Sequence, residues 1–97
     1  MSNPIQFNWD PQKAIENEKK HRLSFSIATL VFSDPLAKSA PDRIENGEQR
    51  WQTIGQVYGV VIVVAHTLTL NPDHEAIRII SARKADRSER KRYEESY

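Results

Sequence analysis

The stretch VVIVVAHT, residues 60–67, decides how this chain is read. Six of its eight residues are β-branched, and its apolar side chains fall on both faces of an extended strand. That pattern belongs to the middle of a sheet, where neither face meets water. Before it, Tyr58-Gly59 supplies a tight turn, and RWQTIGQV (residues 50–57) alternates well enough to be the preceding strand. After it, Asn71-Pro72-Asp73-His74 reads as a turn, and IRIISAR (residues 77–83) returns antiparallel.

Further upstream, PLAKSAPDRIENGEQ (residues 35–49) reads as a short edge strand followed by a polar loop, because Pro41 cannot donate to a central ladder. FSIATLVF (residues 25–32) is a helix starting at Ser24. Phe25, Ala28 and Phe32 share its inner face, Ile27, Leu30 and Val31 flank them, and Asp34-Pro35 stops it. In FNWDPQKAIENEKKHR (residues 7–22), Phe7 and Trp9 lead in as a short strand, Asp10 stands at an N-cap and Pro11 at the first helical position. That helix, running to about His21, is mostly polar. A last helix is capped by Asp86 with Glu89 as its capping-box partner, and Tyr93 and Tyr97 form its aromatic edge. The expected fold is therefore α+β in one domain over residues 1–97: two N-terminal helices packed on one face of an antiparallel β-sheet, with a basic C-terminal helix. The other face of the sheet is expected to stay open.

The chain has 97 residues, a net charge of +1 and no cysteine. Disulfides and thiolate metal sites are excluded, and a reducing, cytoplasmic location is expected. The opening MSNPIQFNWD has no basic region followed by an apolar run, so no secretory signal is read there. The longest apolar run, residues 60–65, is far short of the ~20 residues that span a bilayer. No membrane association is expected. The small net charge hides an asymmetry: residues 76–97 carry seven Lys or Arg against four acids. This polarity fits a polyanion partner on one side of the molecule, or simply a solvated charged helix.

Nucleotide-binding loops, the nucleophile elbow and the zinc-protease motif are all absent. His21, His66 and His74 stand at no zinc-ligand spacing, and His74, in a turn beside Asp73, reads as a surface residue. His66 ends the central strand on the same face as Val60, Ile62 and Val64; it is either a structural strand-end residue or a catalytic one. His21 closes the first helix and is either a cap or an acid–base group. The chemistry on offer is proton transfer plus cationic stabilisation, without metal or cofactor. RNA cleavage needs no more than that. The last helix, with Arg87, Arg90, Lys91 and Tyr93 beside the strand residues Arg78 and Arg83, suits phosphate contacts and base stacking.

Four ordered blocks resemble the BrnT family, toxins of type II toxin–antitoxin systems with a RelE-like fold and ribonuclease activity. FNWDPQKAIENEKKHRLSF resembles the family's F-x-W-D-x-x-K opening followed by N-x-x-K-H. VFSDPLA and GEQRWQTIGQV are similar to its next two segments, and IRIISARKADRSERKRYEE to its most distinctive block. Matching positions are Lys20, His21, Arg50, His66, Arg78, Ser81, Arg83 and Tyr93. The resemblance implies cleavage of cellular RNA and neutralisation by a cognate BrnA-type antitoxin that carries a DNA-binding domain. Operator DNA would be contacted only through that antitoxin. On this reading the catalytic candidates are His66, Arg83, Arg78, His21 and Lys20, and the RNA-binding candidates are Arg50, Arg87, Arg90, Lys91 and Tyr93. The family often carries an Arg just beyond His-Thr in the hairpin, where this chain has Leu68. The alternative is a non-catalytic binding protein on the same scaffold whose basic face docks an antitoxin. Arg78 and Arg83, five apart, fall on opposite faces of a regular strand. They work together only if a bulge near Ser81 realigns them, or if Arg83 swings round at the strand end.

Overall fold

The computed structural model describes residues 4–70 and 72–95. Asn71 and Tyr97, read above as a turn residue and a docking aromatic, lie outside the described residues. The elements in order are β1 (Ile5–Trp9), α1 (Pro11–His21), α2 (Phe25–Ala28) running into a 3-10 turn (Thr29–Ser33), β2 (Lys38–Glu45), β3 (Glu48–Val57), β4 (Val60–Leu70), β5 (Glu75–Lys84) and α3 (Arg87–Glu94). The five strands form one sheet in the order β1-β5-β4-β3-β2, so β4 is the middle strand. Its β-branched run earns that place by burying Ile62, Val63 and Val64 on both faces.

The expected arrangement needs correcting on three counts. First, the sheet is mixed: β1 pairs parallel with β5, Phe7 opposite Ile77 and Trp9 opposite Ile79, while the other pairings are antiparallel. Second, the second helix is a single four-residue α turn continued as 3-10. A 3-10 turn has three residues per turn, so the buried stripe is Phe25, Ala28 and Val31. Phe32 is turned aside, against Phe7 (ring centroids 5.6 Å apart). Third, α3 is only eight residues long and is fastened to the sheet face expected to stay open. Tyr93 lies there with Ile54, Val63 and Ala85.

The main core lies under α1 and α2, where Phe25, Val31, Ile62, Val64, Ile77, Ile79 and Ala82 meet. The 3-10 turn sits so close to β3 that a Cβ on Gly55 would stand 2.6 Å from Val31 Cγ2. The caps are as the sequence indicates. Asp10 Oδ1 accepts from Gln12 N–H (2.8 Å), Ser24 Oγ from Ile27 N–H (3.1 Å), and Asp86 with Glu89 completes a capping box. Tyr58-Gly59 (φ 49° and 80°) makes the two-residue turn between β3 and β4. Asn46-Gly47 (φ 53° and 77°) makes another between β2 and β3, so β2 is a full edge strand with a bulge after Pro41 rather than a short strand and loop. No helix among the described residues is long and apolar enough to cross a membrane.

Two features of β5 position everything that follows. Ala65 pairs with Ser81 but His66 with Ile79, so Ile80 is an extra residue, a β-bulge. Beyond Ile79, β1 has ended, and α1 covers the bare strand edge. There the buried Asn17 side chain does the work of a missing strand. Its amide donates to Ala82 C=O (2.8 Å) and Leu23 C=O (3.0 Å), and its carbonyl accepts from Ala82 N–H (3.1 Å).

Candidate active site

The bulge sets the geometry of the site. Ile77, Ile79 and Ala82 all point into the main core, which is possible only because Ile80 breaks the alternation between Ile79 and Ala82. Arg78, Ser81 and Arg83 are thereby carried to the opposite face, five-residue spacing notwithstanding.

On that face α1 and β5 bound a groove made of two adjoining clefts that share Lys13 and Ile80. The tighter, about 100 Å³, is lined by Lys13, Arg50, Thr67 and Arg78 with the acids Asp10 and Glu48. The shallower, about 260 Å³, has Lys13, Lys20, His21 and Ser81 along it. Lys13, Asn17 and Lys20–His21 recur at helical spacing along one side of α1, which is why one helix lines both clefts. Within the groove the cations are lightly engaged. Arg78 is exposed, and among the described residues its side chain donates one bond, Nη1 to Asn8 Oδ1 at 2.7 Å. Arg50 is largely buried, yet among the described residues its Nε has no hydrogen-bond acceptor; a Glu45 carboxylate oxygen stands 3.9 Å away. A buried guanidinium N–H left without an acceptor is costly, and an anionic ligand oxygen would supply one. His21 is half-buried beside Lys20.

The remaining candidates lie elsewhere or are already engaged. His66 belongs to the helix-covered face and is buried edge-on against Phe32, with ring centroids 5.0 Å apart. Its Nδ1 lies 3.1 Å from Thr67 C=O, an acceptor, so Nδ1 carries the proton and Nε2 accepts from Thr53 Oγ1 at 2.7 Å. Thr53 in turn bonds Ser39 (2.7 Å). Burial holds the His66 pKa below its ordinary value, opposed by the Thr67 carbonyl. Arg83 is on the groove's face but forked onto Glu89, at 2.7 and 2.9 Å. That pair, partly opposed by burial, depresses the Glu89 carboxyl to about 2 and raises the Arg83 pKa. Tyr93, proposed to stack on bases, is buried, and its hydroxyl donates to Asp34 Oδ2 (2.6 Å). Arg90 donates to Ala85 C=O (2.9 Å) while Arg87 and Lys91 are exposed on α3.

The structure thus places Arg50 and Arg78 in one cleft and Lys20, His21 and Ser81 in the one adjoining it, and keeps His66, Tyr93 and the α3 cations out of both. Lys13 and Thr67 were missed from sequence. Lys13 is the lysine of the F-x-W-D-x-x-K opening and also stands at helical spacing to Lys20, and Thr67 directly follows His66 in the His-Thr pair; neither was singled out as a site residue. Among the described residues no three His, Asp or Glu are grouped to hold a metal ion. A family model described as the ribonuclease toxin BrnT of type II toxin–antitoxin systems matches residues 9–89. No curated protein matches the chain.

Proposed function

The chain belongs to the BrnT family of ribonuclease toxins of type II toxin–antitoxin systems, and from that premise we propose that it cleaves RNA in the groove between α1 and the β5 bulge, by acid–base chemistry that needs no metal ion. The observation that supports this reading is the Ile80 bulge, which turns Arg78 and Ser81 to one face, Arg78 in the cleft that Arg50 lines and Ser81 in the adjoining cleft with Lys20 and His21. In the reaction the ribose 2′-oxygen gives up its proton to a base and bonds to phosphorus. The bond to the 5′-oxygen breaks, and that oxygen takes a proton from an acid, leaving a cyclic phosphate. His21, the imidazole on this groove, is the residue suited to move those protons. Arg78, Arg50 and Lys20 hold the non-bridging oxygens as charge builds on them, and Arg50 Nε gains the acceptor that it lacks. Arg83 and His66 act through the fold. The cognate partner is an antitoxin of the BrnA type with its own DNA-binding domain, which alone contacts the operator, and the toxin works in the cytoplasm.

The test is incubation of purified, antitoxin-free protein with total RNA in EDTA. Cleavage should persist there, and His21→Ala should slow it by about 10²–10⁴-fold. Cleavage that stops in EDTA and returns with a divalent ion would overturn the metal-free mechanism. Absence of any cleavage would favour a non-catalytic binder.

A further inference from the structure

A second basic region lies at the far end of β5. Arg78 pairs with Thr67 of β4 and Lys84 with Ile62, five residues further along. At about 3.3 Å per residue that puts the two ends roughly 16 Å apart. Here the Tyr58-Gly59 turn, the end of β5 and α3 enclose a hollow of about 320 Å³ with Val60, Val61, Lys84, Arg90 and Glu94 on its walls. Its apolar side is open to water: Tyr58 is 81% exposed and Val60 42%. Leu30 (37% exposed) continues the apolar surface on the other side of the turn. The cations on its walls, Lys84 and Arg90, have no ion-pair partner among the described residues, whose pairs are Arg43–Glu45, Arg50–Glu45 and Arg83–Glu89. Glu94 is the one acid on the wall.

An exposed aromatic and aliphatic patch with a charged rim has the anatomy of a protein interface. RNA would draw on the cations but would leave Val60 and Leu30 without a partner. We propose that this corner docks an acidic amphipathic segment of the antitoxin, its apolar side covering Tyr58 and Val60 and its carboxylates meeting Lys84 and Arg90. The inference rests on the toxin–antitoxin reading for the identity of the occupant. It does not rest on where RNA is cleaved. Docking at this end leaves the α1 groove untouched, so the two surfaces are separable by substitution.

The probes are a fluorescent helical peptide with a leucine stripe flanked by glutamates, the same stripe flanked by lysines, and a short single-stranded RNA. The acidic peptide should bind the intact protein, more weakly as salt rises, and the lysine version should not. Lys84→Glu with Arg90→Glu should weaken peptide binding by about tenfold or more, the effect of turning two exposed ion pairs repulsive. Val60→Asp should weaken it independently. All these positions are on the surface, so melting temperature should stay at the parent value, and RNA cleavage, measured on the same preparations, should be unchanged. Equal binding of both peptides, or peptide binding indifferent to Val60→Asp, would overturn the proposal. So would a loss of RNA affinity in Lys84→Glu/Arg90→Glu, which would make the corner part of the RNA site. If the parent protein cleaved no RNA but bound the acidic peptide in this way, the docking site would stand and the nuclease reading would fall.

Discussion

The two ends of β5 each present an arginine on the same face of the sheet, and the two are used in opposite ways. Arg78 faces the α1 groove with a single neutral hydrogen bond to Asn8. Arg83 is forked onto a nearly buried carboxylate, Glu89, which also closes the capping box of α3. A guanidinium already satisfied by a carboxylate has little left for a phosphate, whereas one with free N–H groups beside another unsatisfied guanidinium is positioned to bind one. Position on one face is therefore not enough to make two arginines one site; the partners decide.

The largest expected effect is on catalysis. Arg78→Ala should reduce RNA cleavage by about 10²–10³-fold, as for removal of a donor to developing charge, with melting temperature nearly unchanged because the side chain is exposed. Arg50→Ala should fall in the same range. Either variant retaining parental rates under single-turnover conditions would move the site away from this groove.

Next comes packing beneath the opposite face. Gly55→Ala places a methyl group against Val31 Cγ2, and overpacking of this kind costs about 1–3 kcal/mol. Chemical denaturation should show that loss, while cleavage measured well below the midpoint should persist.

Arg83→Ala should destabilise by about 1–2 kcal/mol. It leaves Glu89 without its fork, but the Arg83 side chain keeps 38% of its exposure, which discounts the pair. Its RNA cleavage under folding conditions should stay near the parent's. That contrast with Arg78 is the sharpest available within one strand.

The smallest effects are those of pH. Glu89 titrates at about 2 in the fold against 4.5 ordinarily, so the stability it contributes is complete above pH 4.5 and drains away as pH falls towards 2. His66, held neutral below its ordinary value of 6.5, contributes stability that is complete above that value and is lost as pH falls beneath it, because the unfolded chain takes the proton first. Melting curves should therefore weaken in two windows on acidification. Arg83→Ala should flatten the lower one and His66→Gln the upper.

Much of this architecture can be read from local chemistry. Asp10-Pro11, Ser24 and Asp86 with Glu89 mark helix starts because a cap is a contact between near neighbours. The β-branched run of β4 identifies the middle strand for the same kind of reason. What escaped is non-local or masked. Phe7 and Trp9 alternate as a strand should, but nothing in five residues says whether the partner, some 70 positions away, runs parallel. Asn46-Gly47 is a strong hairpin signal, overshadowed by Pro41, which an edge strand tolerates at a bulge. Of the site, the bulge near Ser81 was one of two ways to bring Arg78 and Arg83 to one face. That Arg83 is taken by Glu89, and that His66 turns under Phe32, depends on packing across elements. Asn17, whose amide completes the edge of β5, looks in sequence like any polar helix residue.

The most direct test of the central claim sets Arg78→Ala beside Arg83→Ala, both free of antitoxin, in one assay of RNA cleavage in EDTA with melting temperatures taken on the same samples. The account predicts that Arg78→Ala melts like the parent and cleaves about 10²–10³-fold more slowly, while Arg83→Ala melts lower and still cleaves. A folded Arg83→Ala without activity, next to an Arg78→Ala that cleaves like the parent, would contradict it.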